Sequence, residues 1–145
     1  MQLKGNLDFD NELFIIPASL SSTNLKKSVP IEFIVDTGAS RTIINDKDVR
    51  RLQINYDDLE SSRDEYFGVG GTDLTSYEIL DCRLLFTDDD ENTRFEDLEY
   101  VVVNQHHFKS EDEEKKMMSL YSLLGLDVLK KYNIRFSNYT VFLED

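Results

Sequence analysis

The sequence predicts a mainly β protein of one domain, residues 1–145, carrying one or two short helices. Three observations lead there. Short β-branched and aromatic runs recur along the chain, turn residues separate them, and only one long stretch has the acids and the cap of a helix. A hydrophobic content of 40%, with nine Phe and seven Tyr, is ordinary for a chain of 145 residues that buries a core.

In order, Leu13-Phe14-Ile15-Ile16 and Ile31-Glu32-Phe33-Ile34-Val35 read as strands, with a polar stretch over residues 19–28 between them. Pro30 sits at the entry of the second run, where a missing N–H is tolerated. Ile43-Ile44 is a further apolar fragment, followed by Asn45-Asp46-Lys47-Asp48, which predicts the cap of a short helix through Leu52. Residues 64–67 and 72–80 flank Gly68-Val69-Gly70-Gly71, where glycine lets a chain reverse tightly, and predict a hairpin. Leu84-Leu85-Phe86 and Tyr100-Val101-Val102-Val103 form a second expected pair across an acidic connection, residues 88–97. Ser110 and Glu113 make a capping box for a helix over residues 111–121, with acids in its first turn. A second short helix is expected over residues 126–131. Ile134-Arg135-Phe136 and Tyr139-Thr140-Val141-Phe142-Leu143 then close the chain around Ser137-Asn138.

A formal net charge of −13 repels phosphate backbones, so nucleic acid is not an expected partner. No run of about 18 apolar residues occurs, and the N-terminus has no secretory pattern. A single cysteine, Cys82, allows no intrachain disulfide. The expectation is a cytoplasmic protein with no membrane partner.

Several acidic and metal-binding patterns lose on inspection. Asp88, Asp90, Asn92 and Glu99 match four positions of a calcium loop, but Thr93 stands where its glycine belongs, so a solvated acidic hairpin loop is expected. His106 and His107 have no partner at helical spacing and no cysteine pair, which points to a loop or surface role. Cys82 reads as a small core residue. No metal or other cofactor is expected.

The window Phe33-Ile34-Val35-Asp36-Thr37-Gly38-Ala39-Ser40 is the most informative. An apolar strand ends in a carboxylate, and a hydroxyl, a glycine and two small residues follow. A buried lone Asp is costly, so Asp36 needs partners or a shifted pKa. Gly38 lets the chain turn at once and lets backbone approach another group closely. About ninety residues on, Ser122-Leu123-Leu124-Gly125-Leu126-Asp127 places two bulky apolar residues and a glycine before a short helix.

These two elements, with the glycine-rich hairpin between them, resemble the retropepsin family of retroviral-type aspartic proteases. The resemblance spans residues 13–143. Gly125-Leu126-Asp127 is closer to cellular retropepsin-like proteins such as the DNA-damage-inducible group, because viral enzymes usually carry Gly-Arg-Asn or Gly-Arg-Asp there, and their arginine braces the dimer. The fold implied is a retropepsin-like acid-protease β-barrel. The activity implied is aspartic endopeptidase, with peptide or unfolded protein as substrate.

By the same resemblance Asp36, Thr37 and Gly38 are catalytic, and Ala39, Ser40, Gly68, Val69, Gly70 and Gly71 bind substrate. Tyr66 or Phe67 either shapes a pocket or packs in the core, with core packing the favoured reading, and the same choice stands for Ile43 and Ile44 as subsite residues. With only one Asp-Thr-Gly, a two-carboxylate site requires a homodimer. A dimerisation or peptide-binding module with little or no proteolysis is the alternative.

Overall fold

The computed structural model describes residues 1–63 and 73–145. Among them lie ten strands: β1 (Gln2–Asp8), β2 (Leu13–Ser22), β3 (Pro30–Val35), β4 (Ile43–Ile44), β5 (Glu60–Ser61), β6 (Leu74–Thr87), β7 (Thr93–His106), β8 (Ser122–Leu124), β9 (Asn133–Ser137) and β10 (Thr140–Glu144). Three helices join them: α1 (Asp46–Arg51), α2 (Glu111–Met118) and α3 (Leu126–Leu129), and Tyr56–Asp58 makes a single 3-10 turn.

Alternation decides where each strand goes. Successive side chains point to opposite faces, so on β3 Ile31 and Phe33 are buried while Glu32 faces solvent, and on β10 Val141 and Leu143 are buried. The strand order is β5-β6-β7-β4-β8-β3-β2-β1-β10-β9, and β6 pairs with β2 as well. That extra pairing closes β2, β3, β8, β4, β7 and β6 into a six-stranded barrel. The sheet continues past β2 through β1, β10 and β9. Ile16, Leu20, Ile31, Phe33, Ile44, Leu84, Val101, Val103, Leu124 and Val128 fill the barrel. Each fully buried large side chain among them contributes about 1.5–3 kcal/mol.

The expected mainly β architecture with short helices is therefore present, and the differences are in element length. β2 runs on as far as Ser22, into the first four residues of the expected polar stretch, because Ala18 and Leu20 keep the inward alternation while Ser19 and Ser21 pair with β6. β1 went unpredicted; it alternates buried Leu3 and Gly5 with exposed neighbours. A Cβ on Gly5 would lie 2.2 Å from the Ile15 carbonyl oxygen, so close β1–β2 packing needs glycine there. The runs at 72–80 and 84–86 are expected to be separate, but the described residues from Leu74 to Thr87 form the single strand β6. Asp81 bends it with φ 54, and neither Asp81 nor Glu99 opposite takes part in the ladder. On one side of the bend β6 pairs with β5, and on the other with β2.

The acidic connection, expected over residues 88–97, is a hairpin loop of only residues 88–92, because residues 93–97 pair with β6 as the start of β7, and Asp88 Oδ1 accepts from the Asp90 and Asn92 amides at 3.0 and 2.8 Å. The α1 N-cap falls at Asn45, but its side chain donates to the Tyr121 carbonyl instead of capping. Ser110 Oγ accepts from the Glu113 amide at 3.1 Å, so the expected cap forms. α2 stops at Met118 and not at Tyr121, because the Ser119 and Leu120 amides turn back three residues, to Lys116 and Met117. Tyr121 instead donates to Asp8.

His106 corrects the expected surface role. It is buried at the end of β7, where its amide donates to Asp46 Oδ2 at 3.0 Å and its Nδ1 lies 2.5 Å from Asp46 Oδ1, tying α1 to β7. His107 is exposed, its Nε2 2.7 Å from Thr75 Oγ1. Cys82 is a buried core residue as expected, and burial pushes its thiol up to about 12. The glycine cluster at 68–71, with Tyr66 and Phe67, lies outside the described residues. Among those described, no helix is long and apolar enough to cross a membrane.

Glu96 on β7 is the buried acid that fastens the end of α3. Its carboxylate accepts from Lys131 Nζ at 2.8 Å, Tyr132 Oη at 2.6 Å and Arg94 Nε at 3.2 Å. Burial pushes the carboxyl up, but the bonds from Lys131 and Tyr132, with the charges of Lys131 and Arg94, prevail and hold it below the usual glutamate range. Glu96→Gln should therefore lower stability by about 2 kcal/mol at neutral pH, the scale of hydrogen bonds to a charged group. A lowered folded-state pKa means the contribution is full above the ordinary glutamate pKa and is lost as pH falls through the folded value. Urea titrations at pH 7 and in acid should accordingly show the gap between wild type and variant close on acidification.

Candidate active site

The loop over residues 36–42 leaves β3, strides across β8 and returns as β4. β3 runs parallel to β8, with Val35 opposite Leu124, and β4 is antiparallel to β8, with Ile43 opposite Leu123. β8 thus lies between the two strands that the loop connects, in the shape of the letter ψ. The loop is pinned at its start to β8 and at its middle to the start of α3. The Asp36 amide donates to the Leu124 carbonyl at 3.1 Å, and the Leu126 amide donates to the Ala39 carbonyl at 2.8 Å.

Asp127, buried at the start of α3, completes the fastening. It accepts from the Thr42 amide at 2.9 Å, the Thr42 hydroxyl at 2.8 Å and the Val128 amide at 3.0 Å. The Thr42 hydroxyl accepts in turn from the Gly125 amide at 3.2 Å. Three charge-assisted bonds to one buried carboxylate make this the tightest polar cluster of the loop. Asp127 took no part in the sequence-based site; the signal for it was an acid two residues past a glycine, opening a short helix.

Asp36 itself is half-buried, not the fully buried acid that its apolar lead-in suggests. Its Oδ1 accepts from the Gly38 amide at 2.9 Å, and a Cβ on Gly38 would sit 3.1 Å from that oxygen. Thr37 is exposed, and its hydroxyl has no hydrogen-bond partner among the described residues. Ala39 is half-buried and Ser40 exposed on the same loop. Of the candidate site residues, the structure places Asp36, Thr37, Gly38, Ala39 and Ser40 together. Gly68, Val69, Gly70 and Gly71 fall outside the described residues.

The pair Ile43 and Ile44 separates. Ile44 belongs to the barrel core and lines no subsite, because the period of two turns it inward. Ile43 joins Tyr100 and Val102 of β7 in a second cluster on the other face of the sheet, with Leu80 and Leu123 against it. Leu123 therefore faces away from the barrel core. Alternation along β8 splits it from Leu124, which faces the core.

The candidate site is thus a strand-end aspartate on a glycine turn, with a second strand threaded behind its loop. The family described as gag-polyprotein putative aspartyl protease matches residues 24–131, and the chain belongs to that family. The structure is similar to a retropepsin-like aspartic protease from Rickettsia conorii at 19% identity and a TM-score of 0.57, over 99% of this chain and 89% of that one. It is also similar to the retroviral protease-like domain of Ddi1 from Leishmania major, at 16% identity and a TM-score of 0.46, over 92% of this chain and 94% of that one. Comparison with curated proteins gives no match. The fold is retropepsin-like.

Gly125 is the position where this arrangement tolerates least. A Cβ there would lie 2.5 Å from both the carbonyl carbon and oxygen of Arg41 and 3.0 Å from the Ala39 carbonyl oxygen. All three are backbone atoms of the loop, so no side chain can move aside. Gly125→Ala should cost about 3 kcal/mol, at the upper end for overpacking, and should displace the loop. A lower urea midpoint together with shifted amide resonances at Asp36 and Thr42 is the expected result.

Proposed function

We propose that the chain is an aspartic endopeptidase that works as a homodimer, cutting peptide or unfolded protein. The observation that carries this reading is Asp36: half-exposed, oriented by the Gly38 amide, and standing at the end of a strand with no second carboxylate bonded to it among the described residues. Family membership supports the chemistry.

Two such loops meeting about a two-fold axis bring two Asp36 carboxylates together, and the exposed Thr37 hydroxyls become available to the opposite loops. In dyads known from aspartic proteases the carboxylates share one proton, because two like charges about 3 Å apart do not both ionise. The ionised member takes a proton from a water that attacks the peptide carbonyl. The protonated member donates to the developing oxyanion. The proton taken from the water then passes to the leaving amine as the C–N bond breaks, and a hydroxyl proton of the tetrahedral intermediate returns to the other carboxylate as the new carboxyl C=O forms, which restores the shared-proton state. Both pKa values belong to the pair.

Cleavage of a peptide library by the full chain should fall at least about a thousandfold in Asp36→Asn, a loss on the scale of removing a group that acts only as part of a unit. Cleavage that survives the substitution would refute the assignment. Specific activity should also rise with protein concentration in step with dimer formation in sedimentation experiments, and an active monomer contradicts the shared site. Rate against pH should be bell-shaped, since both the doubly protonated and the doubly ionised dyad are inactive.

A further inference from the structure

We infer that Arg41 is a specificity-determining residue of the proposed active site and selects peptides with an anionic side chain, carboxylate or phosphorylated, close to the scissile bond. This rests on the endopeptidase reading for the site it belongs to, but not for the contact itself.

The chain has seven arginines among its 16 cationic residues, against 29 acids. Arg50, Arg51, Arg63, Arg83, Arg94 and Arg135 each form an ion pair with a carboxylate. Arg41 has no carboxylate partner among the described residues, although the protein around it is strongly acidic. It is exposed, and its guanidinium lies over the Tyr100 ring, 5.0 Å from the centroid.

The contrast with Arg63 is instructive. Arg63 lies over the same ring at 4.2 Å, yet its charge is committed to buried Glu78 and to Glu99. Two guanidinium groups share one aromatic platform, and among the described residues only that of Arg41 is without a carboxylate. An arginine resting on a ring is partly pre-ordered, so less side-chain entropy is lost when its fork binds a carboxylate or phosphate.

Position gives the contact its role. β8 separates the two ends of the loop, with Asp36 beside Leu124 and the Arg41 carbonyl against Gly125. Two strand spacings put the two residues about 10 Å apart. Its contact with the Tyr100 ring puts Arg41 on the side of Ile43, which packs with Leu123 and Tyr100 away from the barrel core. An extended peptide repeats its side chains on one face every 7 Å or so. A residue one or two positions from the cut therefore falls within reach of Arg41, with apolar surface beneath it.

The test uses the full chain and one parent peptide, with Glu or Gln, and phosphoserine or serine, placed in turn at the two positions on either side of the cut. Wild type should favour the anionic member of at least one pair by about fivefold or more in kcat/KM, the upper range for a partly exposed ion pair. Arg41→Ala should bring that ratio near one, Arg41→Glu should invert it, and Arg41→Lys should keep part of it. The ratio is taken on one enzyme, so a weaker dimer affects both arms equally. Absence of any preference in wild type, or a preference unchanged in Arg41→Ala, overturns the inference. Fluorescence anisotropy of the same labelled peptides separates the two readings. Arg41-dependent preference in binding without cleavage leaves the recognition site standing and removes the endopeptidase. Asp36-dependent cleavage without preference does the reverse.

Discussion

The fold depends on the insertion of β8 between β3 and β4. A three-residue strand has few ladder bonds of its own, so it holds its place through what surrounds it: Leu124 inside the barrel, Gly125 against the loop backbone, and Asp127 on Thr42. The insertion settles the rest of the site. It forces the loop over residues 36–42 to stride across a neighbour, which lifts Asp36 to the rim of the sheet and prevents its burial in the core. It also splits Leu123 from Leu124 and Ile43 from Ile44, giving one sheet two apolar faces. The inner face stabilises the barrel. The outer one lies beside the carboxylate.

The closure of the barrel is a separate problem, and Asp81 solves it. β6 has to pair with β5 and β7 at one end and with β2 at the other, and a straight strand cannot follow both. A residue at φ 54, outside the ladder, absorbs the bend. Local irregularity of this kind is how closed sheets turn their corners. A second anchor, the buried His106–Asp46 contact, fixes α1 to the end of β7, so the helix that follows β4 is held from two sides.

Much of this was legible in the sequence, and the reasons for success and failure are physical. Asp36-Thr37-Gly38 and Leu123-Leu124-Gly125 could be found because each needs particular residue types in consecutive order, and consecutive order is what a sequence displays. The hairpin turn at Ser137-Asn138 was readable for the same reason; Asn138 adopts φ 53. β1 was missed because Gly5 sits where its alternation needs an apolar residue, and only the approach of Ile15 explains that glycine. His106 was misplaced because its partner, Asp46, is 60 residues away, and no local pattern announces such a pair. Asp127 was quoted but not valued, since its role depends on Thr42 across the ψ junction. Arg41 was overlooked altogether: its significance lies in the partner it lacks, and ion pairing is visible only in three dimensions.

The carboxylates of the protein sort themselves by how many donors they collect. Asp127 accepts three hydrogen bonds, and so does Glu96; Asp48 takes Ser122 and Arg51; Glu78 takes the Arg63 amide and guanidinium. Each of these acids is buried, and each is satisfied within its own chain, as desolvation requires. Asp36 accepts one amide bond and keeps the rest of its carboxylate open at the rim. A purely structural acid has no reason to stop at one partner when a backbone loop surrounds it. The same asymmetry appears among the arginines, where Arg41 stands apart from six ion-paired neighbours. Asp36 and Arg41 lie on one seven-residue loop, one on each side of β8, and neither has a salt-bridge partner among the described residues. The buried acids, by contrast, are held by donors of their own chain because burial leaves water unable to serve them.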